Sequence, residues 1–207
     1  MSNEDYKVPP SIKDHATQIL KVQQQAVANI EITSAMEEAI TLLMKAADDG
    51  ARIITTGMGK AGIIGIKMSA TLASIGLPSF YVHPAESLHG DIGRISPNDV
   101  VIVFSNSGRT GEVKQMIATL HALNQHTNPI VLICSNPTPD IASDILVNYQ
   151  YEKESCRVPK VPSTSTTLML LVADILAIVA AERRGFDTEW FKARHPGGAI
   201  GQDYKKT

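Results

Sequence analysis

The chain has 207 residues, 43% hydrophobic and 19% charged, with a formal net charge of −2. That length suits one domain with a sizeable core, and the composition excludes a disordered chain. The balanced charge argues against a nucleic-acid or polybasic membrane surface, and two cysteines, Cys134 and Cys156, exclude a disulfide scaffold and fit a reducing cytoplasm.

Residues 1–10 are polar and end in Pro9-Pro10, which predicts a mobile arm, and they lack the apolar core of a signal peptide. Between Ile12 and Asp49 the apolar residues recur at helix spacing in two stretches. Ile19, Val22, Ala26 and Ile30 mark the first; Met36, Ile40, Leu43 and Met44 mark the second. Apolar runs then predict strands at 52–55, 79–82, 100–104, 129–134 and 145–149, alternating with helices at 60–74, 111–123 and 165–184. A short helix is expected at 188–193. The run LMLLVADILAIVAA reads as too short for a bilayer and is broken by Asp174. Buried strands alternating with helices predict an α/β fold, a doubly wound α-β-α sandwich around a central five-stranded parallel sheet. Residues 11–207 read as a single domain.

Two stretches carry more hydroxyl groups than structure requires. SNSGRTGE follows the third strand and opens a helix; VPSTSTT opens another and holds five hydroxyl residues in succession. One capping side chain suffices for a helix. Free backbone N–H groups, the positive end of the helix dipole and small hydroxyl side chains together favour a phosphate. In an open parallel sheet such loops lie beyond the carboxyl ends of the strands, where ligands bind. The two stretches are therefore expected to surround one phosphate from different sides. GMGKAG lacks the spacing of a nucleotide-triphosphate loop. Gly57, Gly59 and Gly62 fit G-x-G-x-x-G, but the next strand ends in His83 rather than the acid that holds a ribose.

GMGKAGIIGIKMSATLASIGLPSFYVHPAESLHGDIG, SNSGRTGE, KESC, PSTSTT and HPGGAIG, in this order, resemble the sugar isomerase (SIS) domain of arabinose-5-phosphate isomerases over about residues 35–202. Better-known members carry a pair of CBS domains after the last motif; this chain is expected to be a SIS domain alone. The resemblance implies interconversion of D-arabinose 5-phosphate and D-ribulose 5-phosphate through an enediol, supplying 3-deoxy-D-manno-octulosonate for lipopolysaccharide. It implies no cofactor and no metal, a cytoplasmic homotetramer with sites shared between subunits, and neither a nucleic acid nor a membrane as partner. The same fold also serves other phosphosugar isomerases and non-catalytic phosphosugar sensors, which remain alternatives.

By motif position, Lys60, His89, Glu112, Glu154 and His195 are the catalytic candidates. Lys60 would stabilise the enediolate or touch phosphate. Glu112 would hold sugar hydroxyls or Lys60. Glu154 is the first choice of base, His195 a proton shuttle, and His89 the ring-opening group with Asp91 orienting it. A solvated lysine, a helix-start glutamate, a loop glutamate and two structural histidines are the plain alternatives. Gly59, Ser105, Asn106, Ser107, Gly108, Arg109, Thr110, Ser163, Thr164, Ser165 and Thr166 are expected to bind phosphate and sugar. Arg109 stands where the family commonly has an acid, and Arg157 and Lys160 where it is apolar. His83, Glu86, His89 and Asp91 cluster in sequence without the spacing of a metal motif.

Overall fold

The computed structural model describes residues 9–158 and 160–197. Most of the expected arm over residues 1–10 and the end of HPGGAIG lie outside them.

β1 (Ile53–Gly57), β2 (Ser79–Tyr81), β3 (Val100–Phe104), β4 (Ile130–Cys134) and β5 (Ile145–Asn148) form one parallel sheet in the order β2-β1-β3-β4-β5. β1, β3 and β4 are buried at every position; β3 and β4 therefore read as unbroken apolar runs, while β1 buries Thr55 and Thr56, whose hydroxyls donate to the Gly65 and Val82 carbonyls. Register pairs Ile53 with Val100 and Gly57 with Phe104 across the centre.

The helices are α1 (Ile12–Ala28), α2 (Ser34–Asp48), α3 (Gly59–Ser74), α4 (Pro84–Ser87), α5 (Gly111–Asn124), α6 (Thr164–Arg183) and α7 (Thr188–Arg194). Ser11, Thr33 and Asp187 cap α1, α2 and α7 by accepting a backbone N–H. One face of the sheet packs α2, α3 and α6, through Leu43, Met68, Leu72, Leu176 and the inward residues Ile102 and Ile133. The other carries α5, through Val113, Met116 and Leu120 against Val101, Val103 and Leu132. The predicted doubly wound sandwich is what forms. α4 and a single 3-10 turn at Asp91–Arg94 were not anticipated; both are too short to show a period.

α6 forms within one residue of the expected 165–184 and extends beyond its apolar middle at both ends. It has 20 residues and is apolar enough to cross a membrane by length and composition, which corrects the expectation of too short a run. The helix is a core element instead, with 56% of its apolar window buried and packing against α2 and α3.

The strand order places a switch point between β1 and β3, from whose carboxyl ends the chain leaves toward opposite faces: α3 on one side, α5 on the other. A crevice opens at such a point, and ligands bind there in open α/β sheets. At the other end of the sheet, Asp99 ties β1 to β3. Its carboxylate accepts from the Arg52 amide at 2.9 Å, from Arg52 Nη2 at 2.6 Å and from the Ser96 amide at 2.8 Å.

Candidate functional site

A cleft of about 280 Å³ lies at the switch point. One wall is the loop after β3, with Ser105, Asn106, Ser107 and Thr110; the facing wall is the start of α6, with Ser165 and Thr166. Lys60, in the first turn of α3, is the charged side chain of the lining. The two hydroxyl-rich stretches therefore do meet across one space. Met58, Ala61, Phe104, Pro162 and Met169 complete the lining and were not foreseen; apolar residues beside a hydroxyl-rich loop carry no signature of their own.

The loop after β3 is rigidly held. Ser105 Oγ and Thr110 Oγ1 are 2.9 Å apart. The Gly108 carbonyl accepts from the amides of Asp140 and Ile141 at 2.9 and 3.0 Å. Gly108 has φ +64, and a Cβ there would stand 2.4 Å from Pro139 Cβ, so only glycine serves both the turn and the close approach. Thr110 precedes α5 without a side-chain cap bond. The first amides of that helix have no partner within it, as at any helix start.

Gly62 has a packing role. A Cβ there would meet Gly57 O at 2.5 Å and Tyr81 Oη at 2.7 Å, and the Tyr81 hydroxyl donates to the Gly57 carbonyl at 2.5 Å. The glycine spacing in GMGKAG thus lets α3 sit close on β1.

Glu154 does not line the cleft but stands behind its α6 wall. Its Oε2 accepts from the Ser163 amide at 2.8 Å, Ser163 Oγ at 3.0 Å and the Ser165 amide at 3.1 Å. Its Oε1 accepts from the Tyr151 hydroxyl at 3.1 Å. Burial alone would raise its pKa; the hydrogen bonds from Ser165 and Ser163 outweigh it and hold the carboxyl below its usual value. Ser163, the residue before α6, makes no side-chain cap bond to the helix, so the glutamate caps it.

The other candidates are dispersed. Glu112 is exposed in the first turn of α5, and Gly59 is exposed at the start of α3. Arg109 lies on the surface with its Nε 3.7 Å from Asp140 Oδ1. Thr164 is buried, with Oγ1 unpartnered. His89 is exposed after α4, on the face that carries α5. His195 is far from the cleft of its own chain. Trp190 of α7 packs on Gly76, beyond the distal end of α3, with Cζ2 3.0 Å from the Cβ position. The 16 residues of α3 separate that end from Lys60 by about 24 Å. The His195 ring stacks on Phe191 at 3.8 Å, and its Nδ1 is 2.9 Å from the Phe191 carbonyl. Among the described residues no group of three or more His, Cys, Asp or Glu could hold a metal ion.

A doubly wound sheet with a hydroxyl-lined cleft at its switch point defines a class of small-molecule α/β proteins. Within that class the chain belongs to the SIS domain family, whose match covers residues 47–179. It is 41% identical over 168 residues to arabinose 5-phosphate isomerase KdsD of Francisella tularensis, covering 80% of this chain and 50% of that one. The chain spans about half the length of the curated relatives it matches, 46% for the Escherichia coli K12 enzyme of the same name. A Bacteroides fragilis protein proposed to be a phosphosugar isomerase involved in capsule formation superposes with a TM-score of 0.87 at 34% identity, covering 91% of this chain and 99% of that one. An Escherichia coli CFT073 protein solved in complex with arabinose 5-phosphate superposes with a TM-score of 0.76 at 33% identity, covering 89% and 95%.

Proposed function

We propose that the chain is an aldose–ketose isomerase interconverting D-arabinose 5-phosphate and D-ribulose 5-phosphate. The observation that carries this reading is the facing of Ser105–Thr110 and Ser165–Thr166 across a cleft that also holds Lys60. The arabinose 5-phosphate bound by the Escherichia coli CFT073 relative and the activity named for the KdsD relatives support the choice of sugar.

The phosphate lies between the amides and hydroxyls at the start of α5 and the side chains of Ser165 and Thr166 on the α6 wall, whose first amides serve Glu154 instead. The open-chain sugar then extends toward Lys60. A base takes the proton from C2 of the aldose while the carbonyl oxygen on C1 gains one, giving the enediol. Return of a proton to C1 and loss of the proton on the C2 oxygen complete the ketose. Lys60 stabilises charge on the enediol oxygens. Glu154 is the base of this proposal, ionised at neutral pH; because it stands behind Ser165 of the cleft wall, it takes the proton by way of one water. Glu112 holds sugar hydroxyls. The chemistry has no net redox change and asks for no cofactor and no metal.

The site is shared between subunits of a homotetramer. This accounts for His89 and His195, which serve a neighbour's cleft for ring opening and proton transfer. It also accounts for the apolar surface of α1 and α3: Ile12, Leu20, Ile63 and Ile66 are all at least half exposed. The compartment of this proposal is the cytoplasm, where Cys134 and Cys156 stay unbridged. The product feeds synthesis of 3-deoxy-D-manno-octulosonate.

The purified chain, given D-arabinose 5-phosphate in deuterium oxide, is expected to yield ribulose 5-phosphate carrying deuterium on C1. Saturable binding without turnover would retain the cradle and reject the isomerase.

A further inference from the structure

A line of side-chain hydrogen bonds runs behind the cleft. The Tyr149 hydroxyl donates to Asn106 Oδ1 at 2.8 Å, Asn106 Nδ2 donates to the Tyr151 hydroxyl at 3.1 Å, and that hydroxyl donates to Glu154 Oε1 at 3.1 Å. Each hydroxyl has a single proton, so the donors all point one way and the line ends on the carboxylate. Such chains polarise one another. The line meets Oε1, whereas the amides of Ser163 and Ser165 both go to Oε2. The tyrosine rings are stacked, 6.4 Å apart and 23° from parallel. Tyr149 is almost fully buried, and neither tyrosine lines the cleft. Asn106 is held through its backbone as well: its carbonyl accepts from the Ser135 amide and hydroxyl at 3.1 and 3.0 Å.

We propose that Tyr151, oriented by Asn106 and Tyr149, is a positioning residue that fixes the Glu154 carboxylate and couples it to the loop that takes the phosphate. This rests on the reading above, in which Glu154 is the base. Asn106 belongs to that loop, and its amide is the acceptor and donor joining the two tyrosines. A ligand that settles the loop settles the Tyr151 hydroxyl, and with it the direction of the carboxylate. A donor to the charged form also keeps Glu154 ionised to lower pH.

The titratable groups facing this line come from three elements. Tyr149 follows β5, and Tyr151 lies two residues on; burial raises the pKa of both. The Cys134 thiol at the end of β4 acts on Tyr149. Lys60 of α3 stands in the cleft, on the far side of Ser165 from Glu154, and acts on none of these groups directly. α6 and the loop after β3 face the line with the uncharged Ser163, Ser165 and Asn106.

The test is Tyr151→Phe, which keeps the ring stack and removes the hydroxyl. The acid limb of the kcat profile with D-arabinose 5-phosphate is expected to move up by about one pH unit, the size of one hydrogen bond to a charged group. At neutral pH kcat falls about tenfold while KM stays within about twofold. Tyr149→Phe leaves the last link in place and gives a smaller shift in the same direction. An acid limb unmoved in both variants overturns the proposal. A second measurement does not depend on turnover: carbon-13 titration of the Glu154 carboxyl, assigned by its loss in Glu154→Gln. If the chain fails to isomerise the sugar, the functional reading falls alone. The carboxyl titration still decides this one, because a curve identical with and without the Tyr151 hydroxyl removes the coupling.

Discussion

The amide nitrogen of Ser163 sits 2.8 Å from Glu154 Oε2, and the Ser165 amide is 3.1 Å from the same oxygen. The helix start that sequence would leave free for a ligand is thus closed by an internal carboxylate. Glu154 is at once a structural cap and the proposed base.

Its capping role is measurable apart from chemistry. Glu154→Ala removes an N-terminal acceptor, a loss of about 1 kcal/mol. In a chain of this size that lowers Tm by about 2–4 °C at neutral pH and fixed protein concentration. The folded pKa of Glu154 lies below the usual glutamate value. Its contribution is therefore complete above that usual value and is lost as pH falls through the folded pKa. Melting curves of the two proteins should converge at acid pH; a constant gap from about pH 7 to pH 3 would rule the charge out as its source.

Lys60, the proposed stabiliser of the enediol oxygens, is expected to act on the reaction more than on affinity. Lys60→Met keeps the aliphatic stem and removes the donor to the enediol oxygens. The expected loss in kcat is about 10²–10³-fold, as for removal of a single oxyanion donor. KM for D-arabinose 5-phosphate changes far less. A variant that raises KM and spares kcat would reassign Lys60 to ground-state binding of the phosphate.

Gly62 sets the fit of α3 on β1. Gly62→Ala drives a methyl into Gly57 O and Tyr81 Oη, at 2.5 and 2.7 Å. Overpacking of this kind costs about 1–3 kcal/mol, or about 2–12 °C in Tm. The backbone carbonyl cannot yield as a side chain end would. Unchanged melting would mean that Tyr81 and the helix move aside.

Sharing of the site between subunits has a mixing signature. Lys60→Met and His195→Ala are each expected to be nearly inactive. Denatured together in equal amounts and refolded, they regain about a quarter of the wild-type rate, the share of sites that draw both intact residues by chance. Recovery no greater than the sum of the parents would place Lys60 and His195 of one subunit in the same site and reject the sharing.

The sheet and the two hydroxyl-rich helix starts were legible because their signals are local. VVIVF and PIVLIC are apolar runs of strand length, and SNSGRTGE and STSTT hold surplus hydroxyls at helix starts. What the sequence withheld depends on contacts far along the chain. Trp190 on Gly76 carries α7 to the distal end of α3, and nothing in the residues around His195 announces that. Arg109 has Asp140, 31 positions on, 3.7 Å from its Nε, a contact that no local spacing announces. Tyr149 and Tyr151 alternate as strand residues do, yet both hydroxyls converge on Asn106, more than 40 positions earlier. Their alternation hinted at one shared face; the amide between them had no signal at all.

α5 and α6 belong to opposite sides of the sheet, yet their first turns bound the same cleft. A phosphate held by both works like a bolt through a laminate, drawing the outer plies against the middle one. Its grip is then felt well beyond the atoms it touches. Amide exchange slows along both helices together, and heat must part the two plies at once rather than peel either away.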